Sequence, residues 1–191
     1  MKPLLISIAV LPLVAGCLGT APKAPKNWTV EWAGPAAKSA AEAPDGAPSV
    51  KLLQLDVLAP YSGNRLAVLR ADGSIAFDSF NSFAAQPASL LKGAAYDVVE
   101  SCGAFSRVVR PNSSAASDLA MEIVVTRLAL DCRAEGRRDA SVALAVALVG
   151  GRSVVSTARG EASAPVGEGD FSAAFSKAFE EALLGAVRSL R

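Results

Sequence analysis

From residue 49 onward the apolar positions follow two periods in turn. In SVKLLQLDVLAP, Leu53, Leu55 and Val57 alternate with Gln54 and Asp56, the repeat of a strand with one buried face. Pro60 ends that strand, because proline has no N–H to give to a ladder. In NRLAVLRADGSIAFDSF two strand-like runs flank Asp72-Gly73, a pair suited to a tight turn with positive backbone dihedrals, so residues 65–78 read as a hairpin. The period then lengthens. Pro87 fits a first helical turn, and Leu90, Leu91, Ala94, Ala95, Val98 and Val99 recur every three or four residues until Gly103 closes the helix.

The second half reads as a meander. Leu119, Met121, Ile123 and Val125 alternate, and the apolar phase then moves to Leu128 and Leu130, which predicts a bulge near Thr126. Glu135-Gly136 turns the chain. Val142, Leu144, Val146 and Leu148 share one face of the next strand, and Gly150-Gly151 supplies a two-residue turn into RSVVSTARGEAS. Asp170 is placed to cap a last helix whose stripe holds Phe171, Phe175, Ala178, Phe179, Ala182, Leu183, Ala186, Val187 and Leu190. These elements predict an α+β fold, a largely antiparallel sheet with two helices packed on one face.

The start of the chain has a different character. Met1 and Lys2 precede an apolar run, Leu4–Gly16, much shorter than the roughly 20 residues of a spanning helix. Residues 1–16 therefore read as an export signal. Val14, Ala15 and Gly16 lead directly into Cys17, a pattern that resembles the bacterial lipobox, in which the cysteine is acylated and becomes the first mature residue. An ordinary signal peptide ending beside a cysteine is the alternative. Residues 17–26 then form a lipidated tether and residues 27–191 a single globular domain. Small and proline-rich segments span residues 19–48, and NWTVEW lies within them as a strand with Trp28, Val30 and Trp32 on one face. That face packs on the sheet or touches a membrane.

The run from Val50 to Val109 resembles the ABC-type transport auxiliary lipoprotein family, the lipoprotein partner in paraquat-inducible-type intermembrane transport systems. Pro60-Tyr61, Arg65, Arg70, Phe83 and Pro87 stand where that family has a strand ending in Pro-Tyr, an arginine after it, a hairpin closing on arginine, and an aromatic segment leading through proline into the first helix. The family often has tryptophan at the Phe83 position, and the spacer Ser62-Gly63-Asn64 is not its commonest form. The resemblance implies a periplasmic docking component without enzymatic activity or cofactor. Its partners would be an MCE-domain periplasmic protein and, through it, an ABC permease and ATPase; a homo-oligomeric ring is a further family-level implication. Leu18, in place of aspartate after the cysteine, resembles lipoproteins carried to the periplasmic face of the outer membrane. Tyr61, Arg65 and Arg70 are the candidate partner-binding residues. Five residues apart on one strand, the two arginines would point to opposite faces, one pairing with Asp56 or Asp78. A structural or merely solvated role for both is the alternative. An envelope-assembly lipoprotein supporting outer-membrane protein insertion is the competing function.

Composition narrows the chemistry. The 191 residues suit one domain, and only 6% are aromatic, so small and branched side chains must fill the core. The formal charge is +1, and removal of Lys2 with the signal leaves a balanced chain, which gives no reason to expect nucleic acid. There is no histidine, which excludes Ser-His and Cys-His nucleophile pairs and imidazole metal ligands. Ser89-Leu90-Leu91-Lys92 matches the S-x-x-K pattern of penicillin-recognising enzymes, but no K-T-G element follows. Acidic residues are scattered and form no cluster for a hard cation. Cys102 and Cys132 remain after lipidation. In an oxidising compartment they either form a bridge or stay as two buried thiols.

Overall fold

The computed structural model describes residues 26–28, 43–167 and 170–190. Cys17, the export signal, Val30 and Trp32 lie outside the described residues. Among the described residues, eight strands form one mixed sheet: β1 (Lys26–Trp28), β2 (Ser49–Val57), β3 (Arg65–Leu69), β4 (Ile75–Phe83), β5 (Arg107–Val109), β6 (Leu119–Asp131), β7 (Asp139–Gly150) and β8 (Ser153–Pro165). Two helices, α1 (Pro87–Ser101) and α2 (Phe171–Ser189), complete the α+β fold.

Strand β6 is the spine. One of its edges carries β7 antiparallel, with β8 antiparallel beyond. The other edge carries β2 alongside Leu119–Val125 and β3 alongside Ala129–Asp131, both parallel. Thus β2 and β3 are two halves of one interrupted strand, and residues 58–64 leave the sheet between them. Outside β3 lies β4, antiparallel, with β1 parallel to it; outside β2 lies β5, parallel. The expected antiparallel pairing holds for the long β6–β7–β8 ladders and the β3–β4 hairpin. The parallel pairs arise because the hairpin and α1 intervene between β2 and β6, giving the chain length for a crossover.

Alternation puts Val142, Leu144, Val146 and Leu148 of β7 under α2. The pairing of β6 with β7 shifts between Val125 and Arg127, the bulge expected at Thr126. It keeps Met121, Ile123 and Val125 on the same side as Leu128 and Leu130, and all five are buried. A second bulge was not anticipated. Pairing shifts between Leu52 and Gln54, so Leu52 and Leu55 are buried and Leu53 is 50% exposed.

The helices cover one sheet face, α2 over β7 and β8 and α1 beside β2 and β5. Asp170 accepts from the Ala173 N–H at 3.0 Å as the expected cap of α2. Gly103, at φ 67°, follows the end of α1. Phe83 meets Phe175 edge-on at 5.6 Å and joins the hairpin to α2. The hairpin turn is wider than two residues. Arg70 exchanges backbone bonds with Gly73 and Ser74, and only Gly73 takes positive φ, because Asp72 instead accepts the Ser74 N–H. Between β7 and β8 the two turn residues are Gly151 and Arg152, one position later than expected.

Asp118 fastens β2 to β6 at one end of the sheet. Its carboxylate accepts from the Ser49 N–H at 2.8 Å and the Ser49 hydroxyl at 2.7 Å, and its own N–H donates to that hydroxyl. The Ser49 backbone and hydroxyl bonds hold the Asp118 carboxyl below its usual value. A carboxyl lowered on folding stabilises above its unfolded pKa of about 3.9, and that contribution is lost as the pH falls through the folded value. Urea unfolding across the acid range should therefore show a flatter decline for Asp118→Asn than for the wild type. An identical decline would remove Asp118 from the acid response.

Candidate docking surface

The helices leave the other face of the sheet open. Ala67 and Leu69 of β3 lie on that face with Ala129 of β6, and Tyr61 packs against this cluster while also touching the helix-side core. The excursion between β2 and β3 thus folds back over the sheet by its aromatic ring. The Arg65 guanidinium lies 5.0 Å from the ring centre of Phe77 on β4, a stacked cation that remains exposed. Phe77 and Ile75 continue this surface and are 38% and 40% exposed. Tyr61 and Arg65 therefore belong to one aromatic and basic patch.

Arg70 does not join them. It lies beyond β3 in the hairpin turn, so the expectation of two arginines on opposite faces of one strand is corrected. Neither expected acid partner is used as expected. Asp78 accepts from the N–H groups of Phe80 and Asn81 and from the Asn81 side chain, while Asp56 accepts from Gln54.

Across the spine the open face becomes a trough. Ala145 and Ala147 floor it, with Glu122 and Val124 on one bank and Thr157 and Arg159 on the other, around a depression of about 520 Å³. Small side chains on the middle strand and longer ones on its neighbours produce this relief. An ion pair between Arg127 and Glu161 spans β7 over Ala143 and closes one end. Arg127 also donates from Nε to the Ser141 hydroxyl at 3.0 Å. The alternation of β7 carries an alanine row opposite its valines and leucines, a signal that the sequence-based expectations left out. Register was needed to show what stands beside that row.

Among the described residues no group of acidic and cysteine side chains could hold a metal, and Ser89 and Lys92 both stand exposed on α1. No described helix is long and apolar enough to cross a membrane.

The two cysteines are free thiols, which corrects the bridge considered above. Cys102 ends α1 and lies four residues before Ser106, whose N–H bonds Pro48 beside the start of β2; the Cys132 N–H bonds Leu69 at the opposite end of the sheet. The intervening β6 has 13 residues, a span of about 40 Å. Four residues reach at most about 15 Å, and a bridge needs Cα atoms within about 7 Å. Burial raises both thiols above their usual value. Labelling of unreduced protein should accordingly modify two thiols after denaturation and do so slowly in the native state. A failure to label after denaturation would restore the bridge.

No family model and no curated protein matches the chain. Solved structures do. Protein XCC0632 from Xanthomonas campestris, described with the family DUF330, shares 23% identity over 76% of this chain and 84% of its own, with a TM-score of 0.51. An uncharacterised protein shares 12% over 72% of this chain and 86% of its own, with a TM-score of 0.52. A candidate lipoprotein from Caulobacter crescentus covers 53% of this chain and 74% of its own at 14% identity and a TM-score of 0.33, too loose a fit to carry an argument. The likeness to the first two is one of fold, and the chain shares their α+β architecture.

Proposed function

We propose that this chain is a lipid-anchored envelope protein that serves an ABC-type, MCE-linked intermembrane transport system by docking. The observation that carries the reading is Val14-Ala15-Gly16-Cys17 behind a short apolar run, joined to a domain whose open sheet face presents Tyr61 and Arg65 beside exposed Phe77. Acylated Cys17 holds the domain at the periplasmic face of the outer membrane. The patch and the alanine trough receive an MCE-domain partner, and ATP hydrolysis belongs to other subunits. Aromatic rings and arginine are the side chains that dominate protein interfaces when they become desolvated. Nothing in this mechanism asks the chain to make or break a bond.

Pull-down of the purified MCE-domain protein by the full mature chain tests the reading. Tyr61→Ala combined with Arg65→Glu should weaken capture by about tenfold or more while the thermal unfolding curve stays within a few degrees of the wild type. Arg70→Ala, in the hairpin turn, should change capture little. Equal capture by the double variant would remove the patch from the interface, and absence of capture by the wild type would remove the partner.

A further inference from the structure

We propose that Phe80 dips into the lipid surface and sets the orientation of the anchored domain. Phe80 is 54% exposed. Its exposure has a structural cause. Asp78 gathers the N–H groups of Phe80 and Asn81, and the β3–β4 register jumps from Ala67 opposite Phe77 to Arg65 opposite Ser82. Residues 78–81 therefore stand out from the ladder, and Phe80 has no β3 residue opposite it.

The occupant follows from where the tether arrives. Lys26 is in register with Asn81, next to Phe80, and stands only nine positions after Cys17 in sequence. Nine residues extend at most about 32 Å. If Cys17 carries the lipid, the bilayer lies within that distance of Lys26, and the outstanding Phe80 ring, one residue from the register partner of Lys26, is brought near it. Lys26 is an exposed cation beside Asn81, a charge suited to anionic headgroups, with Asp78 the acid close by. Aromatic rings are favoured at the headgroup level. This inference rests on the lipidation reading.

Co-flotation of the non-acylated full mature chain, Cys17→Ala, with vesicles of phosphatidylethanolamine and phosphatidylglycerol isolates the ring from the anchor. Weak binding is expected. Phe80→Ser should lower the bound fraction about tenfold, the effect of withdrawing one buried aromatic, and Phe80→Trp should retain it. Val154→Ser with Val155→Ser, removing two side chains 60% and 54% exposed at the far edge, should change nothing. Equal flotation of Phe80→Ser and its parent overturns the proposal, as does no flotation of the parent. Loss of MCE-domain capture by Phe80→Ser with flotation unchanged would assign the ring to a protein interface instead. The mass of the wild-type mature N-terminus reports acylation separately, so a failed anchor and a failed ring give different results.

Discussion

Gly160→Val should loosen α2 from the sheet and lower the melting temperature by about 10 °C. A Cβ on Gly160 would lie 1.8 Å from the Ala182 carbonyl oxygen, 2.8 Å from its carbon and 3.2 Å from the Ala186 Cβ. The nearest obstacle is helix backbone, which has no rotamer to change. Ala158, Ala162 and Ala164 flank Gly160 on β8, while Ala178, Ala182 and Ala186 face them from α2, so the helix rests almost on the strand backbone. Restoring a normal contact requires moving α2 outward, which would open space around Phe175 and Phe179, both buried. Overpacking of this kind costs about 3 kcal/mol, and a domain of this size loses roughly 2–4 °C per kcal/mol. Gly185→Ala is the matched control. It lies in α2 with nothing within 4 Å of its added Cβ and should stabilise by up to about 1 kcal/mol. Thermal denaturation followed by circular dichroism reads both. An unchanged melting temperature for Gly160→Val would mean that the close approach is not needed.

That contact marks the boundary between what sequence patterns reveal and what only packing decides. The helices were legible because their stripes run for many turns and their ends carry local chemistry, Pro87 and Gly103 on α1 and Asp170 on α2. The Thr126 bulge was legible because the apolar phase visibly slips. The Leu53 bulge was not, because Leu52, Leu53 and Leu55 offer two apolar phases and only pairing with Met121 and Ile123 selects one. Parallel pairing of β2 with β6 joins residues about 70 positions apart, beyond any local period. The three residues of β5 are too few to show a repeat. Gly160 did carry a signal, since an isolated glycine inside a strand can mark a close backbone approach, but nothing local identifies the helix that approaches.

The candidate surface divides in the same way. Tyr61 and Arg65 were singled out through a family resemblance, and the fold brings them to one face with Phe77 between strands. Arg70 was singled out through the same resemblance, and its expected place on one strand with Arg65 fails because β3 stops at Leu69. Phe77 and Phe80 carry no local signal of a shared surface, because residues three apart in AFDSF fall on opposite faces of a regular strand. The turn made by Asp78 breaks that regularity.

On the proposed docking role, Cys17→Ala behind an ordinary cleavable signal should move the protein from the membrane fraction to the soluble periplasm and abolish transport without abolishing capture of the proposed MCE-domain partner. Each buried methylene contributes about 0.8 kcal/mol, and two chains make anchoring stable. The docking patch is formed by residues 61–129 and needs no lipid to fold. What the variant loses is local concentration, because a tethered domain meets its partner at an effective concentration that a freely diffusing one does not reach. Phe80 cannot compensate, since burying one phenylalanine is worth about 2–3 kcal/mol against roughly 10 kcal/mol for a single long acyl chain. The ring can orient a domain already held at the membrane; it cannot hold one there. Cell fractionation, pull-down and an envelope-permeability assay measure the three parts. Full transport by the soluble variant would remove the anchor from the mechanism, and loss of capture by a folded variant would make the lipid itself part of the partner interface.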